Sequence, residues 1–229
     1  FRSTVDVIDR TFNNVSLFGV VSASTQNPDD TTFMSAENTN FQIFAVRESE
    51  KSKNAFFKLT SSISPNPFSE MTSSVFFGVY NDQDWNFSVS VEPNKSGSVK
   101  FVTGSDDYNY TLKFEGHSTI LGEVRDTFSL AQTLTKTQGD NFLKSAKRVY
   151  AGAYRQNLTG SLINKSDVLI SGVRYWLKSI DSNSKKQHAL DFDNVGITEN
   201  YKNISALDPQ TKDFDILNKD MLALSWEFS

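Results

Sequence analysis

Cysteine is absent from this 229-residue chain, and its absence excludes disulfide staples, thiolate metal ligands and a thiol nucleophile at once. The absence counts equally against a cytosolic thiol enzyme and a small secreted scaffold, so it leaves the compartment open. Excess positive charge is missing as well: the formal net charge is −4 and the pI is about 5.2. Binding to nucleic-acid phosphates draws on clustered Lys and Arg. The one basic cluster here, Lys144, Lys147 and Arg148, is too short to supply that. No apolar run approaches the roughly 20 residues that span a bilayer, so membrane insertion is not expected. Nor does the chain open on a basic segment followed by an apolar one, as a secretory signal would. It starts at Phe1, and the expectation is an amino end that has been cut.

Glycine and proline are modest, 11 and 5 residues, and no Gly/Ser/Pro-rich linker or charge block divides the sequence. No self-similarity at a solenoid or propeller period is visible. A single domain over residues 1–221 is expected, with a polar arm at 191–219. A last strand, 222–229, is expected to lead toward a further domain.

Aromatic residues are plentiful instead: 19 Phe, 7 Tyr and 3 Trp make up 13% of the chain. Such side chains fit the half-buried face of a pleated sheet, so the usage favours strands over helices. Each fully buried Phe contributes roughly 1.5–3 kcal/mol, enough for a stable core without cross-links. Seven Asn-x-Ser/Thr sequons occur, at Asn14, Asn86, Asn94, Asn109, Asn157, Asn164 and Asn203, an excess that the Asn-, Ser- and Thr-rich composition accounts for. That polar bias is common in extracellular and virion β-proteins.

Along the chain, Thr4 to Asp9 and Val15 to Val21 read as opening strands, and Ser22 to Asn40 as a long polar loop. Phe41 to Arg47 and Phe56 to Leu59 read as a hairpin joined by the charged segment Glu48 to Asn54. Val75 to Tyr80 and Trp85 to Val91 read as paired strands about the short loop Asn81 to Asp84. Further strands are expected at Val99 to Thr103 and Tyr108 to Glu115. Ile120 to Thr135 alternates too weakly to assign, and Asn141 to Lys147 suits one helical turn. Turn signals at roughly 8–12-residue spacing are the mark of a sandwich. Ser182 to Leu190 is the best helix candidate, with Ser182 as N-cap and Lys185, Lys186 and His188 toward its end, where cations suit the dipole. Leu222, Leu224, Trp226 and Phe228 fall on one face of a closing strand.

The segment from Arg148 to Leu190 carries the most information. Apolar residues alternate along Val149 to Tyr154 and again along Val168 to Trp176, with Gly160 and Gly172 at the bends. A strand, the Thr159-Gly160 turn, a strand ending in Val173-Arg174-Tyr175-Trp176 and then a helical turn resemble the closing half of a laminin G-like domain. In particular, the segment looks like the copies found in structural proteins of tailed bacteriophages. Val75 to Tyr80 followed by Trp85 to Val91 extends the likeness over roughly residues 40–228. The resemblance implies an all-β, antiparallel two-sheet jelly-roll sandwich of the concanavalin A-like class with one or two short helices. It implies a non-enzymatic structural or interaction module in a capsid, tail or fibre. Partners would then be other virion proteins related by particle symmetry, and the setting a virion or the extracellular space. The alternative is a carbohydrate-binding lectin or adhesin domain, viral or bacterial, meeting a cell-surface glycan.

Glycoside hydrolases built on such sandwiches carry Glu-x-Asp-x-Glu on one strand, whose period of two puts the carboxylates on one face. The triplet is absent here; the nearest acidic clusters, Asp191-Phe192-Asp193 and Asp213-Phe214-Asp215, lack a third carboxylate in phase. There is no Gly-x-Ser-x-Gly elbow, and only His117 and His188 are available as bases, neither with a partner the sequence can name. No catalytic residue and no cofactor is expected. Calcium at the rim would draw on the loop carboxylates Asp82 and Asp84 and on Asp106 and Asp107, hard oxygen ligands that also suit any solvated loop. A sugar would be met by the aromatics beside those loops, Trp85, Tyr108 and Tyr110. A Trp that begins a strand is more often core.

Overall fold

The structure, a computed structural model, describes residues 2–3, 14–23, 41–61, 68–94, 108–144, 146–155, 162–165, 168–191 and 221–228. The elements follow in the order β1 (Arg2–Ser3), β2 (Asn14–Ala23), β3 (Phe41–Arg47), β4 (Ala55–Thr60), β5 (Met71–Thr72), β6 (Asp84–Pro93), β7 (Tyr110–Ile120) and β8 (Glu123–Leu134). Then come α1 (Lys136–Lys144), β9 (Ala146–Ala151), β10 (Ala153–Arg155), β11 (Leu162–Lys165), β12 (Val168–Leu169), β13 (Gly172–Trp176), α2 (Ser182–Leu190) and β14 (Leu222–Glu227). All pairings are antiparallel. A five-stranded sheet runs β5-β4-β3-β2-β9 and a three-stranded sheet runs β6-β7-β8; β1-β12, β10-β11 and β13-β14 form two-stranded ribbons.

Alternation makes the core. In β4, Ala55, Phe57 and Leu59 are fully buried while Phe56, Lys58 and Thr60 are half-buried, the period of two that a sheet imposes. Phe57 of the larger sheet meets Trp85 and Phe87 of the smaller one, each at a ring-centroid distance of 4.6 Å, and stacks on Phe128 at 5.8 Å. The two sheets therefore bury their apolar faces against each other, consistent with an all-β sandwich.

The Phe41 to Leu59 hairpin, the Ser182 to Leu190 helix and the Leu222 closing strand form as expected. Other elements differ. Val75 to Tyr80 is not a strand paired with Trp85 to Val91: Phe76 makes one bridge to Ala55, and the chain then turns. Gly78 (φ 71°) and Asp82 (φ 58°) adopt the left-handed backbone that bends it there, and β6 pairs instead with β7. The ambiguous Ile120 to Thr135 is the hairpin partner of β7, which itself runs on past Glu115 to Ile120. The helix before Arg148 begins earlier than expected, because Thr135 and Gln138 form a capping box. Thr135 N donates to Gln138 Oε1 (2.9 Å), and Gln138 N donates to Thr135 Oγ1 (3.3 Å). Gly152 (φ 72°) splits Arg148 to Tyr154 into β9, which joins β2, and β10, which joins β11. The Val168 to Trp176 strand breaks after Leu169, and its second part pairs with β14. Asp181, not Ser182, caps α2, accepting from Ser184 N (3.0 Å) and Ser184 Oγ (2.6 Å). Ser22 and Ala23, expected in the long loop, belong to β2; the strands expected at Thr4 to Asp9 and Val99 to Thr103, Ser24 to Asn40 of that loop, the Thr159-Gly160 turn and all of the 191–219 arm beyond Asp191 lie outside the described residues.

Helix α2 lies on the outer, polar face of the smaller sheet. Lys185 donates to Glu115 Oε2 (2.6 Å) and to Ser90 Oγ (3.1 Å), and Ser182 donates to Glu115 Oε1 (3.1 Å). Just before the helix, Ser179 donates to Glu92 (2.5 Å), which also pairs with Lys113 (3.2 Å). Burial alone would raise the Glu115 carboxyl, but the hydrogen bond and charge of Lys185 hold it below its ordinary range.

Candidate functional site

Three connections meet at one end of the sandwich because two ladders end there: β3-β4 closes at Arg47 and Ala55, and β6-β7 opens at Asp84 and Thr119. The β3-β4 loop, the Phe77–Gln83 turn and the β7-β8 hairpin tip surround a cleft of about 630 Å³. Its walls include Asn54, Phe77, Asp82, Asp84, Leu121 and Arg125.

The rim is held from within. Gly78 N donates to Asn54 Oδ1 (3.1 Å), and Tyr80 N donates to the Lys53 carbonyl (3.1 Å). Buried Gln83 links the turn to the core: its Nε2 donates to the Phe77 carbonyl (3.3 Å), and its Oε1 accepts from Trp85 Nε1 (3.2 Å). The Arg47 guanidinium lies 4.1 Å from the Tyr80 ring centroid and donates to the Glu50 carbonyl (3.3 Å). Such cross-links between loops fix the shape of the surface before anything binds.

Two apolar side chains stand out of this polar frame. Phe77 is 75% exposed and Leu121 is 99% exposed. Leu121 (φ 52°) and Gly122 (φ 78°) are the central pair of a two-residue hairpin loop between Ile120 and Glu123. Positive φ at both positions is the geometry that favours Asn-Gly or Asp-Gly. Leucine there sacrifices about 1–2 kcal/mol of backbone preference and gains no burial in return.

The residues singled out in the sequence are dispersed. Asp82 and Asp84 are exposed on this rim. Asp106 and Asp107 lie outside the described residues. Trp85 is 3% exposed, stacked on Phe87 at 5.9 Å and tied to Gln83, so its ring faces belong to the core. Tyr110 sits opposite Pro93, nine ladder steps from Thr119 and so roughly 30 Å away. It is buried; its hydroxyl donates to Asp140 (2.6 Å) and lies 3.3 Å from that of half-buried Tyr108. Burial, then the bond to Asp140, pushes the Tyr110 phenol well above its ordinary range. The structure thus brings Asp82 and Asp84 together and leaves Tyr108 and Tyr110 at the opposite end. The aromatic ring that does face the rim cleft is Phe77, hidden in sequence because it sits inside the apolar run Val75 to Tyr80. Among the described residues no group of three His, Cys, Asp or Glu side chains is placed to hold a metal, and no helix is long and apolar enough to cross a membrane.

Compared with known proteins, the chain matches no family model, no curated protein and no solved structure.

Proposed function

We propose that this chain is a non-enzymatic interaction module of a tailed-phage particle, a jelly-roll sandwich that touches neighbouring virion proteins through the Phe77 and Leu121 rim. The phage setting and the jelly-roll topology rest on the resemblance carried by Arg148 to Leu190. The contact role rests on one observation: a leucine held in a conformation that suits asparagine, with 99% of its surface in water. Strained backbone clusters at functional sites, and the exposed Phe77 on the same rim adds a second apolar side chain to the surface Leu121 presents. The rigid cross-linked loops behind it would let contact energy go into affinity rather than into ordering.

Glycan binding is the second reading, and a specific arrangement favours it. The exposed Phe77 ring borders a cleft that also presents Asn81, Asp82, Asp84 and Arg125, an aromatic platform beside hydroxyl-bonding groups.

The two readings separate by experiment. A photo-cross-linking amino acid placed at Leu121 in the assembled particle should capture another particle protein at a defined peptide, identified by mass spectrometry. A glycan array probed with and without calcium should then be blank. An array positive for a defined glycan, with no protein captured, replaces the first reading by the second. No cross-link and a blank array would discard both.

A further inference from the structure

A second cleft, of about 500 Å³, lies away from the rim, along β6 from Trp85 to Val91, and is bordered by β13 on its far side. Among the described residues β6 pairs only with β7 and β13 only with β14, so no ladder closes the space between them. The volume falls in the ordinary range for small-molecule sites, roughly 300–1,000 Å³. Because the cleft passes a strand edge, the two faces of β6 border different sides of it. On one side lie Ser88, Ser90 and α2, with the His188 ring stacked on Trp176 at 5.0 Å and the nitrogens Trp176 Nε1 and His188 Nε2 buried without hydrogen-bond partners. The other side opens into the interior of the sandwich.

That inner side is apolar. Phe87, Val89 and Val91 of β6 look toward Leu17, Val20 and Phe41 of the larger sheet. Phe142 and Leu143 of α1 and Tyr175 of β13 complete the wall. The interior is incompletely filled here: on β7, Phe114 and Leu112 are fully buried, whereas their ladder partners Val89 and Val91 are only half-buried. Val173 of β13 is buried, yet it stands outside the contiguous cluster that unites the sandwich core. Interiors packed to ordinary density leave no such step between paired residues, so the two apolar faces are not in full contact toward the β6 edge.

Charge does not select what fills that space. Lys185 is paired with Glu115 (2.6 Å) and Arg174 with Glu227 (3.7 Å), and neither Lys147 nor Lys178 is without a partner. Burial pushes the Lys147 amine down to about 8, the penalty that a charge meets in this wall. An apolar cavity takes up apolar molecules, and an ion brought into it would leave water without a countercharge to receive it.

We propose that the inner side of this cleft binds a neutral, chain-like hydrocarbon molecule, of the kind a medium-chain alcohol represents, with its body along Phe87, Val89 and Val91 and against Leu17 and Phe41. The wall from Trp85 to Val91 is roughly 20 Å long at the rise of a strand, so an extended chain suits it better than a compact ring system. The site is independent of the rim and of the virion reading.

The full chain is titrated calorimetrically with decanol, decanoate and decyltrimethylammonium, each below its solubility or micellar limit, and the thermal midpoint is followed in parallel. Decanol should bind saturably at one site and raise the midpoint. Both charged probes should bind at least about tenfold more weakly, because their head groups must shed water at the apolar wall. Val89→Phe fills the cavity from β6; it should weaken decanol about tenfold while the midpoint without ligand stays at or above that of the parent. Failure of decanol to saturate overturns the proposal, and so does a charged probe that binds as tightly as decanol. Undiminished decanol affinity in a folded Val89→Phe overturns it too. Should that variant not fold, Leu143→Ala decides in the same way: it trims the half-exposed end of the wall, keeps a good helix former in α1, and should weaken decanol severalfold.

Discussion

The ring of Phe128 lies directly over Gly116, its partner across the β7-β8 ladder: a Cβ added at Gly116 would sit 2.3 Å from Phe128 Cε1. The missing side chain is what lets Phe128 reach the core, where its ring also packs edge-on against Phe114 at 4.9 Å. Gly116→Ala should therefore force the ring away from its minimum and destabilise the protein by about 1–3 kcal/mol, the usual range for overpacking. Urea denaturation measures it. A midpoint equal to that of the parent would mean that Phe128 can shift without loss.

Beneath α2, the Lys185 and Glu115 side chains are only 3% and 5% exposed, and their charges meet at 2.6 Å. Removing one partner leaves the other charged and buried, so Lys185→Met or Glu115→Gln alone should cost about 3–5 kcal/mol. The double substitution should recover a large part of that loss, because it removes both desolvated charges together. A double-mutant cycle by chemical denaturation reads the coupling. Additive losses would show that α2 is held by other contacts.

How far the fold was legible depended on whether each decisive contact was local. The alternation of Ala55, Phe57 and Leu59 and the polar start of α2 are written in neighbouring residues, and both elements form where the pattern puts them. β8 carried too weak a pattern, because its first half exposes one face and half-buries the other, and only its partnership with β7 defines it. Val75 to Tyr80 reads as a strand because its residues are apolar. Yet Gly78 and Asp82 turn it, and Val79 and Tyr80 are buried from within that turn. Of the candidate site, Asp82 and Asp84 were legible as loop carboxylates. Phe77 and Leu121 were not, since nothing in a run of apolar residues says which one the fold will leave outside. The orphaned Trp176 and His188 nitrogens could be seen only once β13 and α2 were placed together.

His188 gives the chain a pH response. Burial, reinforced by the positive charge of Arg174, pushes its imidazole down to about 4 from an ordinary 6.5, with Asp181 and Asp191 opposing. In the unfolded chain it takes up a proton near 6.5, and in the folded chain only near 4. Stability should therefore be at its full value above pH 6.5 and fall as pH drops from 6.5 toward 4. His117, also lowered chiefly by burial, acts in the same direction as pH falls below 6.5. The depressed carboxyls of Glu92, Glu115 and Asp181 act lower down: their contribution persists above their unfolded values and is lost as pH falls through the folded ones. His188→Gln should flatten the profile between pH 6.5 and 4, measured as thermal midpoint against pH. An unchanged slope would show that His188 is free to protonate in the folded state.

Leu121 separates fold from function most sharply. Its backbone asks for asparagine, and its side chain touches solvent over 99% of its surface, so nothing within the described fold depends on leucine. Leu121→Asn creates the Asn-Gly pair that this hairpin loop favours, and should raise stability by roughly 1 kcal/mol. If the rim meets a neighbouring particle protein, the same change should lower incorporation of the chain into assembled particles, read by quantitative mass spectrometry against an internal standard. A gain in stability with unchanged incorporation would remove Leu121 from the contact. A loss of stability would mean that the leucine is held by the hairpin itself, and the argument from strain would fail with it.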